Sequence, residues 1–310
     1  MNSSRNASPA GLFLSIPDDE FKLFQELVRR HSGISLGPHK RPLLLSRLAP
    51  RLRALGLHSF AEYHRRVTGP GGQAELEQML DCICTNETRF FREPRQFELI
   101  RRTLLPEWTS RLGQGGAASA AATVPATHRR LRVWSAACST GEEPYSLAMT
   151  LLHGLAPLPP DPRHAIEILA TDLSTRALDR AQRAIYPIER APEIPHDYLF
   201  AYMLRGQRSH AGEMKAGPEL RALVTFRREN LIQVTSQKLG RFDLVLCRNV
   251  LIYFDAATKA LVLDRIVDCL NPGGYLFLGY AESLNGQVRG MANVAPSVYR
   301  REALRGGSTA

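Results

Sequence analysis

Residues 131–155 read LRVWSAACSTGEEPYSLAMTLLHGL. Leu131-Arg-Val-Trp-Ser135 is an apolar run of strand length, the next residues are small, and a helical pattern takes over from about Glu143. A buried strand, a tight turn and a helix in that order open a strand–helix–strand unit. The unit recurs. Ala165–Ala170 reads as a strand before a helix at Thr175–Ala184, and Phe242–Cys247 as a strand before a helix at Ala256–Leu270. Asn271-Pro-Gly-Gly274 then turns into a strand at Tyr275–Gly279. Such alternation predicts an α/β domain whose parallel sheet is covered by helices on both faces, and right-handed crossovers make it doubly wound and Rossmann-like. Residues 187–226 interrupt the alternation and are expected to form a small insertion.

Upstream the pattern is helical. Asp18-Asp19-Glu20 put acid where a helix N-terminus favours it, Phe21, Phe24, Leu27 and Val28 recur at helical spacing, and Ser32-Gly33 ends the element. A second helix starts near Pro42, with Leu44, Leu45, Leu48, Leu52 and Leu55 as its stripe and Arg47 and Arg51 beside it. Further helices are expected over Gln73–Ile83 and from Pro94 through Trp108. The chain thus divides into a disordered tail at 1–15, a basic helical domain at 16–88, a connecting helix with a Gly/Ala linker at 89–127, and the α/β domain at 128–302. Between residues 29 and 66 the bases Arg29, Arg30, Lys40, Arg41, Arg47, Arg51, Arg53, Arg65 and Arg66 face only Glu62. That cluster suits either a solvated face or a surface that docks an acidic partner.

The totals exclude several classes. The five cysteines are odd in number and lack CxxC spacing, which argues against a disulfide framework or a zinc site and for a reducing cytoplasm. No apolar run is long enough to cross a bilayer. The formal charge of +10 points to a polyanionic partner without saying which.

Ligands of doubly wound sheets bind at the carboxyl ends of the strands, and four stretches bear on that site. Ser135–Pro144 is neither GxGxxG nor a P-loop, and its paired acids Glu142 and Glu143 would repel a diphosphate. They suit a cation such as S-adenosylmethionine, which carries a sulfonium and an ammonium. Asp172, just past a strand end, could accept a ribose diol or cap the next helix, a task Ser174 could equally fill. Arg248-Asn249, at the end of an apolar strand, would be costly to bury unpaired. Asn86–Arg92 alternates polar and aromatic residues and reads either as packing or as a lid.

These stretches, NETRFFREPRQF, VWSAACSTGEEPYSLAMTL, ILATDLSTRALDRA, FDLVLCRNVLIYFD and LNPGGYLFLGYAES, resemble the motifs of CheR-type chemotaxis receptor methyltransferases in content and order, and SGISLGPHKRPLLLSRLAPRLRALGLHSFAEY is similar to that family's helical domain. The resemblance implies a cytoplasmic S-adenosylmethionine-dependent protein-glutamate O-methyltransferase, releasing S-adenosylhomocysteine and needing no metal. Its partner would be the cytoplasmic domain of a methyl-accepting chemoreceptor, whose recruitment would bring a monomeric enzyme to the membrane without insertion; nucleic acid is not an expected partner. Asn86, Thr88 and Arg92 match family positions at the cofactor, Glu143 an acid in its pocket, and Asp172 the ribose ligand. Asn230-Leu231 matches the pair near adenine, Arg248 and Asn249 the cofactor–substrate boundary, Tyr253 a substrate-side position, and Arg47 and Arg51 the helix used against the receptor. The family's three-stranded insertion corresponds to about Tyr198–Phe226, which is polar and alternates poorly.

A glutamate acceptor is an anion at neutral pH, with a reference pKa near ~4.3, so direct attack on the sulfonium methyl needs no general base. Arg92 and Arg248 are the candidates to hold that carboxylate, with Tyr253 beside it. Two rivals stand against this reading: a methyltransferase acting on RNA or a small molecule, and a non-catalytic module that senses the cofactor. Against the first, the basic cluster lacks an aromatic platform for bases.

Overall fold

A computed structural model describes residues 15–114, 130–155, 165–284 and 288–302. Most of the expected tail (1–14) and linker (115–127) lies outside them. The chain forms two compact units, one reaching Thr85 and including Tyr253–Asp255, the other comprising Asn86–Ile252 and the chain from Ala256.

The first unit is helical. It contains α1 (Asp18–Ser32), α2 (Arg41–Ala54), α3 (Phe60–Thr68) and α4 (Gln73–Ile83). Gly33 ends α1 in the left-handed region, φ 78°, where its N–H reaches the Arg29 carbonyl. The helix α3, which no expectation covered, opens on a reciprocal cap: Ser59 Oγ accepts from the Glu62 N–H at 3.1 Å, and Glu62 Oε2 accepts from the His58 N–H at 2.8 Å. Phe24, Leu44, Leu48, Leu52, Tyr63 and Met79 are buried together in the middle. Phe254 bridges Ile34 in antiparallel fashion, and Asp255 pairs with Arg29 at 2.7 Å.

The second unit opens with α5 (Pro94–Leu99), which runs through a π-helical turn at Ile100–Leu104 into α6 (Leu105–Gln114). The elements that follow are β1 (Leu131–Ala136), α7 (Glu142–Leu155), β2 (Ile166–Asp172), α8 (Thr175–Arg183) and β3 (Ile185–Pro187). Next come α9 (His196–Tyr202), β4 (Met203–Arg205), β5 (Glu213–Ala216), α10 (Pro218–Leu223), β6 (Val224–Arg228) and α11 (Ser236–Leu239). The unit ends with β7 (Phe242–Cys247), α12 (Ala256–Asp268), β8 (Leu270–Leu278), β9 (Met291–Ala295) and β10 (Val298–Arg301).

The main sheet has the order β6-β2-β1-β7-β8-β10-β9. The strands β6, β2, β1, β7 and β8 run parallel, and β10 lies antiparallel between β8 and β9. The chain starts at the centre on β1, moves outward to β6, then returns to β7 and moves outward the other way. That reversal makes the sheet doubly wound and leaves a crevice beyond the carboxyl ends of β1 and β7. Both strands are buried at nearly every position, as strands covered on both faces must be.

The insertion is a separate antiparallel sheet, β3-β5-β4. It closes at Ala216, so the expected limit at residue 226 is corrected: Val224–Arg228 is β6 and pairs with β2 in the main sheet. The strand β8 likewise starts at Leu270 rather than Tyr275, absorbing the expected turn through a register shift opposite Phe242–Leu244.

Candidate functional site

The turn after β1 is bent by backbone that few residues tolerate. Ala137 and Ser139 have φ of 64° and 51°, and Gly141 has φ of 95°. The bend aims the Ser139 N–H at Asp172 Oδ2, 2.8 Å away, while the Ser174 N–H reaches Asp172 Oδ1 at 2.9 Å. Ser174 Oγ caps α8 by accepting from the Ala177 N–H at 3.2 Å. The cap is therefore Ser174, and Asp172 stands at the end of β2 with its carboxylate tied to two turns.

Two further segments join this corner. Ser139 Oγ donates to the Asn86 carbonyl at 2.9 Å, and Asn86 Nδ2 reaches Ser174 Oγ at 3.4 Å. The Glu229 N–H donates to the Asp172 carbonyl at 3.0 Å, which sets Asn230 and the buried Leu231 beside it. Asn230 Oδ1 accepts from the Ile232 N–H at 3.3 Å.

On the β7 side, Arg248 is the hub. Its side chain is 1% exposed. Nη1 donates to Glu143 Oε2 at 3.1 Å, Nη2 to Glu93 Oε2 at 3.1 Å, and Nη2 also to the Arg92 carbonyl. The Phe97 ring lies under the guanidinium, 5.5 Å from its centroid. Glu143 also accepts from Ser135 Oγ at 2.7 Å. Burial pushes the Glu143 carboxyl above its usual range; the Arg248 charge and the Ser135 hydroxyl oppose that, and the neighbouring Glu93 adds to it.

A second buried acid organises the remaining segment. Glu142 is fully buried and bonded by Thr140 Oγ1 at 2.6 Å and Arg190 Nη1 at 2.7 Å. Arg190 also donates to the Thr88 carbonyl at 2.5 Å, and Glu193 accepts from the Phe90 N–H at 2.8 Å. Burial raises the Glu142 carboxyl too, against Thr140 and Arg190. Phe90 and Phe91 sit in the core, so the aromatic half of this stretch is packing. Arg92 is half-buried and donates to the Glu87 carbonyl at 3.3 Å.

Asn86, Thr88, Arg92, Glu143, Asp172, Asn230, Leu231, Arg248 and Asn249 thus all belong to the second unit. Tyr253, Arg47 and Arg51 belong to the first. There the Tyr253 carbonyl accepts from the Ser35 N–H at 2.8 Å. Arg47 Nη1 caps the end of α4 by donating to the Cys84 and Cys82 carbonyls at 2.6 and 3.0 Å. Sequence reasoning missed Glu93, Arg190 and Glu282. Glu93 and Glu282 stand in quoted motifs, and an acid within a few residues of a buried strand end or helix start was the available signal.

The family model described as "CheR methyltransferase, SAM binding domain" matches residues 86–299, and "CheR methyltransferase, all-alpha domain" matches residues 19–84. The chain belongs to the CheR methyltransferase family. It is 37% identical over 281 residues to chemotaxis protein methyltransferase 2 of Pseudomonas aeruginosa, covering 91% of this chain and 92% of that one. It is 35% identical over 286 residues to the chemotaxis protein methyltransferase of Salmonella typhimurium, covering 92% and 91%. The boundary between the two CheR matches falls at the boundary between the two units.

The groups present fit S-adenosylmethionine by their chemistry. Asp172 offers carboxylate oxygens where a ribose diol binds in such sheets. Glu143 and Glu93 share the single Arg248 cation, which leaves an acidic balance suited to a cationic ligand.

Proposed function

We propose that this CheR-family enzyme transfers the methyl group of S-adenosylmethionine to glutamate side chains on the cytoplasmic helices of chemoreceptors, forming γ-methyl esters. The observation that carries the reading is Asp172, anchored by the Ser139 and Ser174 amides at the end of β2, opposite the acid pair that Arg248 holds. S-adenosylmethionine, when bound, supplies an electrophilic methyl carbon on a cationic sulfur.

The chain's own residues then divide the work. Asp172 takes the ribose, Asn86 and Thr88 line the cofactor, and Asn230-Leu231 flanks the base. Arg92, half-buried, is the better placed of the two arginines to meet an acceptor carboxylate, because the guanidinium of Arg248 is committed to Glu93 and Glu143. Arg248 with Asn249 fixes the cofactor–substrate boundary, and Tyr253 serves the substrate side. The acceptor is already ionised at neutral pH, so alignment does the work and no base is required. Arg47 and Arg51 carry internal contacts as well as the proposed docking role on the receptor. The enzyme acts as a cytoplasmic monomer recruited to receptor arrays.

The test is transfer of labelled methyl from S-adenosylmethionine to a receptor cytoplasmic fragment, followed by mild base. Label released as methanol establishes a carboxyl ester. Base-stable label places the acceptor on nitrogen or carbon and overturns the proposal.

A further inference from the structure

Glu282 lies four residues beyond the end of β8 and is 3% exposed. Its carboxylate gathers four backbone N–H groups from two strand ends. Oε2 accepts from Gly279 and from Asn249, each at 2.8 Å; Oε1 accepts from Leu251 at 2.8 Å and from Ile252 at 3.3 Å. One side chain therefore ties the turn after β7 to the end of β8.

The residue most constrained by this tie is Asn249. Its φ of 58° lies in the left-handed region, which asparagine enters more readily than most side chains but still at some cost to the backbone. Glu282 holds its N–H, and Glu93 Oε1 accepts from its Nδ2 at 3.4 Å. A carboxylate cannot donate, so this contact orients the amide with its NH2 towards Glu93 and leaves Oδ1 as the acceptor. Gly279 closes the third side: a Cβ there would lie 2.5 Å from Asn249 Nδ2 and 2.9 Å from its backbone nitrogen.

We infer that Glu282 is a positioning residue for methyl transfer, holding the Arg248–Ile252 turn, and Asn249 above all, in its working geometry. This rests on the proposed function, which puts Arg248 and Asn249 at the cofactor–substrate boundary.

The test compares Glu282→Gln and Glu282→Ala with the unsubstituted enzyme in three measurements: steady-state methyl transfer, calorimetric binding of S-adenosylhomocysteine, and amide hydrogen exchange. Glutamine keeps the shape but turns an NH2 against N–H donors. The expected kcat loss is about 10- to 100-fold, the scale of a small misplacement of reacting groups. Affinity for S-adenosylhomocysteine should fall by less than kcat, because the ribose ligand Asp172 stands on another strand. Exchange should quicken over residues 248–252, with β1 and β2 unchanged and the alanine variant worse. Native exchange with native kcat overturns the inference. So does a parallel fall in kcat, affinity and melting temperature, which is what a merely structural residue gives. Failure of the functional reading is distinct: the unsubstituted protein then transfers no base-labile methyl to a receptor fragment, while exchange still reports whether Glu282 holds the turn.

Discussion

Arg51 lies in a two-point fork on Glu75, Nε to Oε1 at 2.7 Å and Nη2 to Oε2 at 2.5 Å, and Tyr63 Oη adds a third contact to Oε1 at 2.8 Å. Glu75 is 8% exposed, so the fork compensates a largely buried charge.

Removing the fork should therefore cost stability as well as any docking. Arg51→Ala is expected to lower unfolding free energy by about 1–3 kcal/mol, the cost of an unsatisfied buried carboxylate, read as a lower urea midpoint. The acid limb gives a second reading. Burial pushes the Glu75 carboxyl up, but the bonds from Arg51 and Tyr63 outweigh it and hold the group below its usual 4.5. A depressed folded value stabilises above 4.5 and loses that contribution as pH falls through the lower value. The unsubstituted protein should thus lose more stability on acidification than Arg51→Ala. Equal acid limbs would remove the argument.

Arg248→Ala strands Glu93 and Glu143 in the interior. A loss of about 3–5 kcal/mol is expected, as when one member of a buried ion pair is deleted. Burial raises the Glu143 carboxyl above 4.5, a shift whose stabilising contribution is present at low pH and lost as pH rises through the folded value. A cationic cofactor favours the ionised form. Calorimetry with S-adenosylmethionine should show affinity rising as pH rises above 4.5, and a flat profile would contradict the role given to Glu143.

Asp172→Asn keeps the shape of the side chain but replaces one acceptor with a donor facing the Ser139 or Ser174 amide. The mismatch should cost about 1–3 kcal/mol. Because the same carboxylate is proposed to take the ribose, S-adenosylhomocysteine should bind at least about tenfold more weakly. Unchanged affinity would move the ribose elsewhere.

Gly141→Ala tests the bend after β1. The backbone there has φ of 95°, and an added Cβ would lie 2.9 Å from both the Ala181 Cβ and the Tyr186 hydroxyl. Strain of about 1–3 kcal/mol is expected from the backbone alone, seen as a lower melting temperature. Weaker S-adenosylhomocysteine binding should accompany it, since the Ser139 N–H would lose its aim at Asp172.

The sequence was most legible where burial is simplest. The strands β1, β2 and β7 are covered on both faces, so they read as continuous apolar runs, and the site residues at their ends, Asp172, Arg248 and Asn249, could be found by position. The strand β6 is half-exposed and reads Val-Thr-Phe-Arg-Arg, which hid its place in the main sheet. The strands β3 and β4 are three residues each, too short for a period. Glu93 and Glu282 escaped for another reason. Their meaning lies in what they touch: Glu93 meets Arg248 across 155 positions of sequence, and no local pattern encodes that pairing.

Among the described residues, the non-glycine positions with positive φ are Phe91, Glu93, Ala137, Ser139, Ala184, Arg208, Asn249 and Ser297, and Glu93, Ala137, Ser139 and Asn249 sit in the candidate site. Of these, Ala137 is where glycine would relax the backbone at the cost of only a methyl group, since the other three side chains hold hydrogen bonds. A library screened for heat resistance alone would accordingly drift towards glycine there and select variants that outlast the parent while working less well. Screening such a library for survival and turnover together would show which of these bends the chemistry requires.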